Sequence, residues 1–260
     1  MTINLRRVSP MMLALYLVLL LAGCATTKAD LPPEVPAMHT IDEFSDDEDR
    51  VAYANDPWET FNRRMYRFNY NFDKYVFLPV VSGYEFITPS FVQTGVSNFF
   101  DNVYEIRTLY NSLFQLKMKK ALTTLGRFVT NSTIGIGGLF EVADSFGLKR
   151  QNEDFGQTLG RWGVGTGPYL VLPILGPNTV RSATGFGVDA GIRILMLDAI
   201  DPYENCSAND KLAIEAGTTT LEAINLRRKQ KFRYYESGYP FEYYMVRFLY
   251  RESREFLIMK

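Results

Sequence analysis

The chain has very few of the side chains on which most catalytic and metal sites depend. Its 260 residues include one histidine, His39, and two cysteines, Cys24 and Cys206. A Ser-His-Asp hydrolase needs a histidine base, and His39 lies in a polar, proline-containing stretch outside any predicted core. Zinc centres built from His or Cys clusters are excluded in the same way. We therefore predict a protein that is not an enzyme and holds neither metal nor cofactor, although carboxylate-only catalysis stays open.

An excess of charge of one sign is also missing. The formal net charge is −1, which argues against a nucleic-acid partner. The charge is nevertheless uneven, because residues 24–56 are strongly acidic and contain Pro32, Pro33 and Pro36. Such a composition is typical of a solvated, self-repelling tether.

The apolar run at the N-terminus is too short to cross a bilayer comfortably. It extends from Met11 to Ala22 behind Arg6 and Arg7, and as a helix it would reach about 18 Å against a hydrocarbon core of about 30 Å. This pattern is typical of a signal peptide over residues 1–23. Leu21-Ala22-Gly23-Cys24 resembles the lipobox of bacterial lipoproteins. The resemblance implies cleavage between Gly23 and Cys24 and a lipid anchor of acyl chains such as palmitate on Cys24.

Apolar residues at helical spacing dominate the rest of the chain. Asp56 and Pro57 open a helix, and apolar positions then recur every three or four residues from Trp58 to Tyr75. We expect Pro79 to end that helix. Strand signals are few. Further helices are predicted from Thr88 to Leu113, from Leu122 to near Asn131, from Asn178 to Leu197, from Asp210 to Arg228, and after Pro240.

Residues 135–187 break this pattern with more than half of the 19 glycines. The glycine clusters lack the Lys-Ser/Thr of a phosphate-binding loop. The segment is too apolar for a solvated loop and too interrupted for long helices, so we predict short helices and turns packed under a membrane, with close packing or a hinge at the glycines. Candidate headgroup contacts are Arg63 and Arg64 of the first helix. The candidate hinge residues are Gly135, Gly137, Gly138, Gly163, Gly165 and Gly167.

Several long motifs resemble one known family. They are NDPWETFNR (55–63), VSNFFDN (96–102), RFVTNSTIGIGGLF (127–140) and EDFGQTLG (153–160), followed by GPY from Gly167. These stretches resemble the MlaA/VacJ family of outer-membrane phospholipid-transport lipoproteins. One departure is Arg181-Ser182, where many relatives have Arg-Asp.

The resemblance implies an all-α fold over residues 57–260: a mostly helical, ring-shaped, membrane-embedded body with a central channel and an irregular Gly/Pro-rich segment. We hypothesise that this segment, with the six glycines named above as candidates, supplies the channel wall and any hinge that gates it. It implies an outer-membrane lipoprotein of a Gram-negative bacterium, anchored on the periplasmic side. Such a protein removes phospholipids from the outer leaflet and passes them toward the inner membrane, which maintains lipid asymmetry. The implied partners are a trimeric porin and a periplasmic lipid carrier that feeds an inner-membrane ABC-type complex. The alternative is a structural, porin-associated lipoprotein without lipid transfer.

Overall fold

The structure is a computed structural model and describes residues 56–237 and 241–260. The predicted signal peptide, its cleavage position between Gly23 and Cys24, and the tether up to residue 55 lie outside the described residues.

Helices make up most of the described residues. A π-helical segment, Asp73–Phe77, joins the first two helices, and a 3-10 turn, Ala143–Phe146, follows the fourth. In chain order the elements are α1 (Glu59–Phe72), α2 (Leu78–Ile87), α3 (Ser90–Phe114), α4 (Met118–Thr133), α5 (Phe155–Arg161), β1 (Tyr169–Leu172), β2 (Gly176–Thr179), α6 (Val180–Ile200), α7 (Ala208–Lys229) and α8 (Glu242–Met259). The predicted mostly helical fold is confirmed, with a small sheet added.

The prediction that Pro79 ends the first helix is wrong. Helical backbone continues from Glu59 to Ile87 through the π-helical segment. The N–H of Leu78 donates to the carbonyl of Asp73, five residues earlier, so the turn before the proline is wider than an α-turn. In an ordinary α-helix a proline ring clashes with the carbonyl four residues back, and the wider turn relieves that clash.

The two strands form an antiparallel hairpin that lies along α1. Tyr169 is opposite Thr179 and Leu172 is opposite Gly176. Asn62 of α1 donates to the carbonyl of Tyr169 at 3.0 Å and accepts from the N–H of Val171 at 2.8 Å.

Two helical turns further along α1, a second asparagine holds the end of β1. Asn69 donates to the carbonyl of Leu172 at 2.9 Å and accepts from the N–H of Ile174 at 2.7 Å. Seven helical residues rise about 10.5 Å, and three strand residues rise about 10 Å. The two asparagines therefore match the strand in register.

Helices α5 and α6 meet at their backbones. A Cβ atom on Gly185 would lie 2.1 Å from the nitrogen of Gly156 and 2.5 Å from its Cα, so only glycine permits this approach. Thr179 fixes the start of α6, because its hydroxyl accepts from the N–H of Ser182 while the Ser182 hydroxyl accepts from the N–H of Thr179.

Among the described residues, none of the helices combines the length and the hydropathy that a bilayer-crossing segment needs.

Candidate functional site

The first helix is polar on its inner face and apolar on its outer face. Its buried residues are Asn62, Tyr66 and Asn69. The apolar stripe that identified the helix in the sequence lies outside, since Trp58 and Phe68 are each 41% exposed. This is the reverse of an amphipathic helix in a water-soluble protein.

The same reversal extends to α3 and α4. The apolar positions that predicted α4 are exposed, Leu122 by 66% and Val129 by 50%. Phe86, at the corner between α2 and α3, is 90% exposed. Apolar surface of this extent normally marks contact with a membrane or another protein. The buried residues are Phe100, Asn102, Glu105, Thr108, Asn111 and Ser112 on α3, and Ala121, Thr124, Arg127 and Asn131 on α4.

Buried charges are paired within this polar interior. The fully buried carboxylate of Glu153 accepts from Lys117 at 3.1 Å, from Gln115 at 2.9 Å and from Lys120. Gln115 and Lys117 lie between α3 and α4, and Lys120 lies in the first turn of α4, so Glu153 ties the loop before α5 to the junction of these two helices. A buried carboxylate without such partners would be strongly destabilising.

A second buried charge, Arg127 of α4, joins this helix to α3 and to the loop that follows α4. Its guanidinium donates to Glu105 at 2.6 Å, to Glu141 at 2.6 Å and to the carbonyl of Leu148 at 2.5 Å. Arginine suits this position because its five N–H donors have a fixed planar geometry. Hydrogen bonds therefore hold α3, α4 and the following loop together where a soluble protein would use an apolar core.

Asp154 caps α5 and binds α8 at the same time. Its carboxylate accepts the N–H of Gln157 and two hydrogen bonds of 2.7 Å from Arg254. Burial would raise the pKa of Asp154, but the hydrogen bonds and charge of Arg254 outweigh it and hold the pKa at about 2. The pair therefore stays ionised at neutral pH.

The small apolar core is largely aromatic and lies between α1, the hairpin and α8. It consists of Tyr66, Tyr169, Val171, Tyr243 and Tyr244. The Tyr66 hydroxyl donates to the buried carboxylate of Glu242 at 2.6 Å. Burial, together with this hydrogen bond, raises the pKa of Tyr66, so the hydroxyl remains a donor.

An open cavity of about 300 Å³ lies between the π-helical segment, the hairpin turn and the end of α7. One wall carries an ion pair, in which Arg227 Nη2 donates to Asp73 Oδ2 at 2.6 Å. Asn69 and Gln230 also line the cavity, but most of the remaining side chains are aromatic or aliphatic, an arrangement that suits part of an acyl chain. These residues are Phe72, Phe77, Ile174, Leu175, Pro177, Ala223, Leu226, Phe232 and Tyr234.

A cluster of polar side chains joins α3, α6 and α7; we call Tyr104, Arg107, Arg193 and Glu222 the arginine cluster. Arg193 of α6 donates two hydrogen bonds of 2.8 Å to Glu222 of α7. Tyr104 of α3 donates to the same carboxylate at 2.5 Å, and Arg107 lies 5.0 Å from the Tyr104 ring centroid. Burial would raise the pKa of Glu222, but Arg193 and Tyr104 lower it.

The candidate hinge glycines fall into two groups. Gly135 and Gly138 are tightly packed: a Cβ on Gly138 would lie 2.7 Å from the Asn102 side chain, in a backbone with a φ of +89°. Gly167 is close to Val180. By contrast, a Cβ at any of the remaining three would meet nothing within 4 Å, and these are Gly137, Gly163 and Gly165.

The two candidate headgroup contacts are placed differently. Arg63 donates to Glu59 at 2.8 Å and lies over the rings of Tyr243 and Tyr244 of α8, so it is engaged within the protein. Arg64 is exposed. Cys24 and Gly23 lie outside the described residues.

Sequence analysis missed the inward-facing polar residues. Asn62, Asn69 and Asp73 recur at spacings of seven and four, opposite the apolar stripe of the first helix. That second periodicity was a usable signal, because asparagine and aspartate are neutral to unfavourable inside a helix unless their side chains have partners.

The sequence of the chain is similar to those of several known proteins. An uncharacterised protein of Rickettsia prowazekii is 43% identical over 129 residues, which cover 50% of this chain and 51% of the relative. The intermembrane phospholipid transport system lipoprotein MlaA of Haemophilus influenzae is 38% identical over 149 residues, with coverages of 56% and 60%. The chain thus spans about half the length of the curated relatives it matches.

A solved structure described as the structural basis for maintenance of bacterial outer membrane lipid asymmetry is also similar. It matches with a TM-score of 0.58 and 30% sequence identity, covering 78% of this chain and 99% of that one. Its sequence identity is high enough to indicate relationship as well as shared fold.

A helical body with paired charges inside and apolar side chains outside defines a protein of the lipid-associated class. The family model of the MlaA lipoproteins matches residues 54–257. The chain belongs to the MlaA lipoprotein family.

Proposed function

We propose that this chain is an outer-membrane lipoprotein that takes phospholipids from the outer leaflet and passes them toward the inner membrane, thereby maintaining lipid asymmetry. The observation that carries the proposal is the reversed polarity of α1, α3 and α4, whose apolar faces are exposed and whose polar faces are buried. The H. influenzae relative, which is named for intermembrane phospholipid transport, supports the choice of cargo.

The physical task is to lower the barrier to moving acyl chains past a polar region. Two chains of about 15 methylenes would cost on the order of 20 kcal/mol to expose to water, at about 0.8 kcal/mol per CH₂. A body with apolar walls for the tails and polar groups for the headgroup lowers this cost without covalent chemistry. The open cavity beside the hairpin supplies apolar wall, and the polar interior supplies hydrogen-bond partners.

The N-terminus supplies the attachment in this proposal. Acyl chains on Cys24 hold the body on the periplasmic side of the outer membrane, because several chains together make the attachment stable where one chain would be marginal. We expect Cys24→Ala to leave an uncleaved, mislocalised precursor. Mass spectrometry of the N-terminal peptide measures this, and normal processing of the variant would refute the anchor.

The proposed partners follow the direction of transport. A trimeric porin supports the body in the outer membrane, and a periplasmic carrier takes the lipid to an inner-membrane ABC-type complex.

Gly137, Gly163 and Gly165 are the candidate hinge residues with open space around them. Gly165→Leu is the cleaner test, because its backbone does not have the positive φ of the other two. Barrier function should fall while the protein stays abundant and anchored.

The central test asks whether lipid contacts the outer face and whether cargo moves. A photocrosslinker at Phe86 or Phe91 should capture phospholipid, whereas one at the exposed Lys149 should not.

Cells lacking the chain should accumulate phospholipid in the outer leaflet, measured by labelling amine headgroups at the cell surface.

The possible outcomes separate the functions considered. Lipid adducts without any change in surface phospholipid would instead favour a structural, porin-associated lipoprotein. Release of free fatty acid that depends on the chain would indicate a lipase.

A further inference from the structure

The arginine cluster bridges three helices, and its guanidinium groups retain unused hydrogen-bonding capacity. The side chain of Arg193 is 46% exposed, whereas that of its partner Glu222 is 10% exposed. The bidentate pair therefore directs one edge of the Arg193 guanidinium at Glu222 and leaves the other edge accessible.

Arg107 has a stronger unmet demand. Its Nη2 donates to Asn152 Oδ1 at 3.1 Å, but its Nε is buried without a hydrogen-bond partner among residues 56–237 and 241–260. A buried donor without an acceptor is destabilising. A ligand that brings an acceptor to this position would satisfy it.

The carboxylates in the neighbourhood already have donors. Glu222 receives Arg193 and Tyr104, as described above. Asp189 of α6 accepts from the Tyr110 hydroxyl at 2.6 Å, from Asn111 at 3.0 Å and from the N–H of Phe155 at 3.0 Å. The spare capacity of this region is therefore donor capacity, carried by two arginines.

Two guanidinium groups, one with an accessible edge and the other with a buried Nε that lacks an acceptor, favour an anion with several oxygens. Phosphate fits this description, because arginine binds it through paired hydrogen bonds. We propose that Arg107, which lies over the ring of Tyr104, and Arg193, which is paired with Glu222, together bind the phosphate group of a phospholipid. This inference rests on the proposed function, and a free phosphate ion would offer the same chemistry.

The experiment uses the full chain in mild detergent and isothermal titration calorimetry. The probes are dihexanoyl phosphatidylglycerol, dihexanoylglycerol, which has the same chains without phosphate, and inorganic phosphate. The wild-type chain should bind the phospholipid at least about tenfold more tightly than either other probe, because charge-assisted hydrogen bonds to phosphate contribute that much.

Two substitutions remove the proposed donors, and a third is the matched control. Arg107→Gln and Arg193→Gln should each weaken phospholipid binding about tenfold. Arg161→Gln should leave it unchanged, because Arg161 is an exposed arginine at the end of α5. Equal affinity of the wild type and both arginine variants would overturn the inference.

Glu222→Gln distinguishes a binding role from a purely structural ion pair. It removes the anion that competes for Arg193, so phospholipid binding should become several-fold tighter even as the unfolding temperature falls. Weaker binding by Glu222→Gln, as by Arg193→Gln, would mean that the pair serves only to join α6 and α7 and would overturn the inference.

The remaining outcomes separate this inference from the proposed function. Inorganic phosphate that binds as tightly as the phospholipid would overturn the lipid as its source. Dihexanoylglycerol that binds equally well would overturn phosphate recognition but keep lipid transport. A wild-type chain that binds neither lipid would count against the proposed function itself.

Discussion

Replacing the buried Asn62 by leucine tests whether polar contacts hold the fold. If apolar packing alone held this site, a leucine there would be expected to strengthen the core. Here the substitution leaves the carbonyl of Tyr169 and the N–H of Val171 without their partner. Asp56 also loses the two hydrogen bonds that it receives from Asn62.

The magnitude follows from these contacts. Each of the two backbone groups left buried and unpaired lowers the free energy of unfolding by about 2 kcal/mol. The added apolar burial of leucine raises it by about 2 kcal/mol. The net loss is about 2 kcal/mol, before the loss at Asp56 is counted. For a chain of this size that corresponds to an unfolding temperature lower by about 4–8 °C.

The assay is thermal unfolding followed by circular dichroism in one detergent. Asn71→Leu is the matched control, because Asn71 is an exposed asparagine of the same helix, and its effect should stay within about 0.5 kcal/mol. An Asn62→Leu variant as stable as the wild type, or more stable, would show that the polar interior does not hold the hairpin to α1.

Two further predictions concern α5 and its contacts. Gly185→Ala should lower the unfolding temperature, because the new Cβ would overlap the backbone of Gly156 and overpacking costs about 1–3 kcal/mol. The control Gly187→Ala should not, since its Cβ meets nothing within 4 Å; equal effects would contradict the close crossing. Asp154 should contribute about 2 kcal/mol that is fully present above its ordinary pKa of 3.8 and is lost as the pH falls toward its folded pKa of about 2. Unfolding temperatures between pH 5 and pH 2 should therefore fall less steeply for Asp154→Asn than for the wild type, and identical slopes would be inconsistent with the Arg254 pair.

Helical periodicity predicted the positions of the helices well but not which face lies inside. The recurrence from Trp58 to Tyr75 is identical whether apolar side chains face a core or lipid, so the sequence pattern leaves the direction open. The structure resolves it through Asn62 and Asn69, whose hydrogen bonds reach a strand more than 100 residues later. The predicted helix end at Pro79 was wrong because the periodicity of apolar residues does not reveal the π-helical turn that accommodates this proline.

The arginine cluster was beyond sequence reasoning for a related reason. Arg107, Arg193 and Glu222 come from three different helices. In the sequence, each of them is a single charged residue typical of an exposed helix face. Only the packing of α3, α6 and α7 brings them together. The glycines were identified from composition, yet composition could not separate Gly138, which is pressed against Asn102, from Gly165, which has open space around it.

The hydrogen-bonded interior has a consequence for how stability depends on temperature. Unfolding inside a micelle would hydrate chiefly amide, carboxylate and guanidinium groups, while the aliphatic exterior remains covered by detergent. Hydration of polar groups lowers the heat capacity, whereas hydration of apolar groups raises it. The heat-capacity increment on unfolding should therefore be small for a chain of this length, and the free energy of unfolding should vary nearly linearly with temperature, without the pronounced maximum of water-soluble domains.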